Sequence, residues 1–95
     1  MRNYEAMYVL RPELDEEQVN AAIERFSAII ATNGGEVTKV EQWGKRRLAY
    51  EVQKLREGYY VLCYFNGDTE LPKELERNFK ISDNVIRFLV IREGE

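Results

Sequence analysis

The sequence predicts an α+β fold with elements in the order β, α, β, β, α, β, and three observations carry that prediction. Two segments, from residue 15 to 33 and from 69 to 81, repeat apolar residues at three- and four-residue spacing behind helix-entry signals. Strand-like segments at 3–10, 36–43, 58–67 and 85–92 are rich in β-branched and aromatic residues. The 95-residue length suits one core, so one domain spanning residues 1–95 is expected.

The first strand, NYEAMYVL, stops at Arg11-Pro12, because proline restricts its predecessor and removes a ladder donor. Its even members Tyr4, Ala6, Tyr8 and Leu10 are the more uniformly apolar set and should face the core. Asp15 is placed to cap the first helix, with Gln18 reaching back as its capping-box partner and Leu14 stapled on Val19. Val19, Ala22, Ile23, Phe26, Ile29 and Ile30 then form one stripe opposite Glu16, Glu17, Glu24 and Arg25. Asn33-Gly34-Gly35 ends the helix, since glycine accepts the left-handed backbone that closes one.

In EVTKVEQW, residues 36–43, Val37 and Val40 differ in parity, which a bulge or an exposed edge would explain. Leu48, Tyr50 and Val52 resume a clean alternation pointing Leu48 inward, and QKLREG, 53–58, is expected as the polar turn of a long hairpin. GYYVLCYFNG, 58–67, is the most apolar stretch and reads as a central strand buried on much of both faces. Thr69 and Pro72 fit the entry of the second helix, whose stripe is Leu71, Leu75 and Phe79. After the turn at Ser82-Asp83-Asn84, the last strand alternates Ile86, Phe88 and Val90 with Arg87, Leu89 and Ile91. Interleaving two split βαβ units gives a ferredoxin-like βαββαβ domain, a four-stranded antiparallel sheet with two helices on one face. The opposite face and the two sheet edges are left for function.

Composition narrows that function. Among 95 residues there is one cysteine, Cys63, and no histidine, so an internal disulfide is impossible and the common zinc and haem ligand sets are missing. No metal, cofactor or small-molecule substrate is expected. No apolar run approaches bilayer length and MRNYEAMYVL lacks the features of a signal peptide, so a cytosolic protein without membrane contact is expected. The net charge of −3 is unevenly spread: residues 39–56 hold six cations against Glu41 and Glu51, a local +4, which leaves −7 for the remainder.

Three classes of function are open to such a chain. For catalysis there is no histidine base, Cys63 lies inside an apolar strand, and the acidic residues 13–17 complement a helix start. An acylphosphatase would need a glycine-rich anion loop after the first strand, where this chain has RPEL. For nucleic-acid binding, cations interleaved with Trp43 and Tyr50 offer phosphate neutralisation beside stacking surfaces. A free-standing RNA-recognition-type adaptor is the alternative of this class, although REGYYVLCY puts Tyr60 where that family has a small residue and Val61 where it has an aromatic. For protein pairing, an irregular strand at 36–43 could accept a partner's strand at a sheet edge, while its charges Glu36, Lys39 and Glu41 could equally guard against that.

The segment GKRRLAYEVQ, beginning at Gly44, resembles the characteristic segment of the bacterial small-subunit ribosomal protein six family. MRNYEAMYVLRPEL is similar to the opening strand and turn of that family and SDNVIRFLVIR to its closing strand, so the resemblance spans residues 2–92. It implies the same ferredoxin-like fold and a non-catalytic, cytoplasmic, ribosome-associated role. It further implies binding to the central domain of small-subunit ribosomal RNA jointly with small-subunit ribosomal protein eighteen. On charge and position, Lys45, Arg46 and Arg47 are assigned to RNA, with Arg2, Arg87 and Arg92 as further candidates, and Glu36, Lys39, Glu41 and Trp43 to the protein partner. This chain ends at Arg92-Glu93-Gly94-Glu95, whereas many members continue in a longer tail.

Overall fold

The computed structural model describes residues 1–94; Glu95 lies outside them. The elements are β1 (Arg2–Leu10), α1 (Glu16–Thr32), β2 (Glu36–Val52), β3 (Leu55–Gly67), α2 (Leu71–Ile81) and β4 (Val85–Arg92). The strands form one antiparallel sheet in the order β2-β3-β1-β4, the ferredoxin-like arrangement expected.

Helix α1 starts where its capping box dictates. The Asp15 carboxylate accepts from the Gln18 amide at 2.8 Å while the Asp15 amide donates to Gln18 Oε1 at 3.0 Å. Val19, Ala22, Phe26 and Ile30 are buried along its inner stripe, and Gly34, at φ 82°, closes it. At α2, Asp68 rather than Thr69 organises the entry, its carboxylate accepting from the Glu70 amide at 3.2 Å. Leu71, Leu75 and Phe79 are buried along α2.

Both helices cover the sheet face made by Tyr4, Ala6, Tyr8 and Leu10 of β1 with Val61, Cys63 and Phe65 of β3. Tyr8, Phe26 and Phe79 pack ring against ring at its centre, with centroids 4.7–5.1 Å apart. Phe88 and Val90 join this core as expected. Ile86 does not: a register shift between Val9 and Leu10 places Val85 under the helices and turns Ile86 to the other face.

Strand β2 lies at the sheet edge, and the irregularity of its sequence is structural. The register with β3 shifts between Val37 and Lys39, so Val37 and Val40, of opposite parity, both pack on the helix-side core. It shifts again between Gln42 and Gly44, where Gly44 has φ 81°. The strand then runs on to Val52, so the expected six-residue turn at 53–58 is a two-residue turn, Gln53 at φ 51° and Lys54 at φ 65°. Residues 55–58 belong to β3; their polarity reflects a hairpin end exposed to water, not a loop.

The hairpin does not leave the helix-free face bare. Its β2 arm bends over one end of that face, and Leu48 packs with Val9 and Ile86 in a second small core flanked by Val52, Leu55 and Tyr60. Gly58 lies where a Cβ would strike the Val9 side chain, so the close approach of β3 to this core requires glycine there.

Candidate nucleic-acid and protein interface

Alternation along β2 decides where the basic cluster points. Lys45, Arg46 and Arg47 pair with Tyr59, Gly58 and Glu57, so Arg46 projects to the helix-free side while Lys45 and Arg47 project to the other. All three are exposed, and the guanidinium of Arg46 donates to the Lys45 carbonyl at 3.3 Å. The hairpin adds Lys54 at its tip and Arg56 on β3, the latter 3.7 Å from Glu51. Sequence reasoning counts these two cations in the basic segment but assigns them no role, because it expects a turn where strand pairing carries Arg56 back beside Arg47.

The six residues assigned to RNA do not converge. Arg87 lies at the hairpin end of β4, with its guanidinium 5.0 Å from the centre of the Tyr50 ring. Arg2 and Arg92 pair with Gly67 and Tyr4 at the opposite end of the sheet. The length of β1 separates Arg2 from Leu10, roughly 26 Å at strand rise. One set of cations therefore surrounds the hairpin and another marks the far end.

The residues assigned to a partner are brought to the helix-free face. Lys39 and Glu41 form an ion pair at 3.2 Å beside the Tyr64 ring, whose hydroxyl donates to Glu41 Oε1 at 3.4 Å. Desolvation first, then the carboxylates of Glu5 and Glu41, push the Tyr64 phenol above its ordinary pKa, which keeps the proton it donates. Glu36 lies apart, opposite Asn66 at the start of the strand. Trp43, at the second register shift, walls an apolar groove of about 150 Å³ with Met7, Leu62, Leu89 and Ile91, and Glu5 at its rim.

Trp43, Leu89 and Ile91 remain 45%, 55% and 46% exposed, which makes this groove an open apolar surface rather than core. Sequence reasoning misses Met7, Leu62, Leu89 and Ile91 as site residues. A common signal does mark them, since each alternates with the core-facing residues next to it, Ala6 and Tyr8, Val61 and Cys63, or Phe88 and Val90. Among the described residues no cluster of acidic or cysteine side chains could hold a metal ion.

Known proteins share this outline. The family model described as "Ribosomal protein S6" matches residues 3–92. The small ribosomal subunit protein bS6 of Carboxydothermus hydrogenoformans is 56% identical over 95 residues, covering 100% of this chain and 99% of the relative. That of Desulforamulus reducens is 50% identical over 95 residues, with both chains covered completely. The crystal structure of 30S ribosomal protein S6 from Thermotoga maritima superposes with a TM-score of 0.91 at 35% identity, covering 97% of this chain and 87% of that one. A match from opening strand to closing strand, at this identity and in this strand order, has one meaning: the chain belongs to the ribosomal protein S6 family of the small ribosomal subunit.

Proposed function

We propose that this chain is a structural constituent of the small subunit that binds the central domain of small-subunit ribosomal RNA together with small-subunit ribosomal protein eighteen. As a ribosomal protein it is non-enzymatic, cytoplasmic and ribosome-associated. One observation carries the finer reading: an open apolar groove around Trp43 shares the helix-free side of the sheet with the arm of a cationic hairpin. The groove takes the protein partner through apolar packing on Trp43, Leu89 and Ile91. The paired charges Lys39 and Glu41 set its polar rim. Lys45, Arg46 and Arg47 meet phosphate, and such contacts position a protein on RNA without reading bases.

An acidic protein binding RNA through one local patch gains little from its overall field, so it depends on the partner. Binding of the central-domain RNA is accordingly weak for the chain alone and cooperative with the partner present. Titrating that RNA with and without the partner protein tests this, and tight partner-independent binding overturns it. Absence of the protein from purified small-subunit particles would reject the ribosomal assignment in favour of a free-standing adaptor.

A further inference from the structure

The end of the β2–β3 hairpin is held against the body of the protein from two sides. On one side stands Arg11, immediately after β1. Its backbone amide donates to the Asn84 carbonyl at 2.9 Å, its Nε to the Asp83 carbonyl at 2.9 Å and its Nη2 to Gln53 Oε1 at 3.0 Å. Its Nη1 lies 3.9 Å from the Glu13 carboxylate. A single guanidinium thus ties the end of β1, the turn before β4 and the tip of the hairpin, 42 residues away in sequence. On the other side, Tyr50 lies over Arg87 while Leu48 fills the small core with Val9 and Ile86.

A two-stranded ribbon is marginal in water by itself, and a ribbon that must be ordered on binding loses affinity to that ordering. We infer that Arg11, with Gln53 as its acceptor, is a positioning residue for RNA binding: it holds the hairpin so that Lys45, Arg46 and Arg47 are aligned before RNA arrives. This rests on the reading that the hairpin meets RNA. Arg87 acts in the same way through Tyr50. The planar fork of arginine serves two acceptors in different directions at once, which a lysine ammonium at the end of a flexible stem does not reproduce.

The test uses the full chain as Arg11→Lys, Gln53→Ala and the triple variant Lys45→Ala, Arg46→Ala, Arg47→Ala. Amide hydrogen exchange is followed on each isolated protein, and assembly with central-domain RNA and the partner protein is followed across a salt series. Arg11→Lys and Gln53→Ala should speed exchange in residues 46–57 by roughly five- to tenfold and leave β1 protected. Both should weaken assembly by a similar factor at every salt concentration, with an unchanged slope, because every phosphate keeps its cation. Gln53 is exposed at the tip, so its truncation leaves the fold intact and separates a loosened hairpin from an unfolded chain. Unchanged exchange in both variants overturns the positioning role. So does wild-type assembly by both while the triple variant assembles poorly, and in that case the RNA reading stands. Wild-type assembly by all three variants removes the hairpin from the RNA site and overturns both.

Discussion

Phe26 shows how one side chain joins the two layers. Its ring lies 5.1 Å from that of Tyr8 in the sheet and 4.7 Å from that of Phe79 on the other helix, and 3% of its surface is exposed. Truncation to alanine leaves a cavity that rigid neighbours on both sides cannot fill, so Phe26→Ala should cost about 3–5 kcal/mol in urea unfolding. A loss below about 1 kcal/mol would mean that the cluster repacks around the gap. Cys63 gives a second residue-scale expectation. Burial between the helices and the sheet pushes its thiol up to about 11 from an ordinary 9.0. Above that ordinary value the unfolded chain releases a proton that the folded chain keeps, so the unfolded state is favoured as pH rises. Stability should therefore be level through neutral pH and fall between about pH 9 and 11, with Cys63→Ala reducing the fall. Melting temperatures at about pH 7, 9 and 10.5 for both proteins check this. Tyr8, also raised by burial, adds to the loss at the alkaline end, so the variant should retain some slope. Both Phe26 and Cys63 are legible from sequence, because helical spacing and an unbroken apolar run each assign an interior position from neighbours a few residues away.

At the scale of elements, capping and periodicity are enough for the helices. Asp15→Ala removes one half of a reciprocal pair and should lower stability by about 0.5–2 kcal/mol, while Asp15→Asn should keep most of it. Guanidinium unfolding of the two variants distinguishes a cap from a surface charge, since a surface charge would make the two losses equal. Strands are legible in type and order but not in detail. The mismatched parity of Val37 and Val40 announces a bulge, and the register shift beside Thr38 is that bulge. The long hairpin is legible but the length of its turn is not, because polar residues 53–58 look the same whether they loop or pair in water; strand pairing of Arg47 with Glu57 and Val52 with Leu55 is a tertiary fact. Ile86 falls on the unexpected face for a related reason. Strict alternation does not hold through a strand whose first residues are displaced by one position.

At the scale of the whole molecule, the acidic residues of α1 lie on the helix layer and the strongest local positive charge lies on the hairpin, so charge and layer are separated together. This predicts opposite behaviour for neighbouring substitutions. The triple alanine variant at 45–47 should flatten the salt dependence of assembly by about 0.7–0.9 log unit per log salt for each phosphate left without its cation, with little change in melting temperature. Leu48→Ala should lower the melting temperature through poorer packing and leave the slope intact. An unaltered slope in the triple variant would place the cluster away from phosphate. The basic half of this site is legible because like charges are contiguous in sequence. Its apolar half carries a signal strand by strand but no sign that the residues converge, because Met7, Trp43, Leu62, Leu89 and Ile91 come from all four strands and meet only through the order β2-β3-β1-β4. The register shifts of β2 bear on a different matter, the fate of chains not yet assembled. A flat edge of 17 residues would invite copies to stack edge to edge into fibres. In β2 the longest regular runs are Lys39–Gln42 and Gly44–Arg47, four residues each, and the kinks between them break any template that a second copy could extend. Copies that are not yet assembled are therefore expected to stay apart rather than stack edge to edge, which light scattering of the free protein would check.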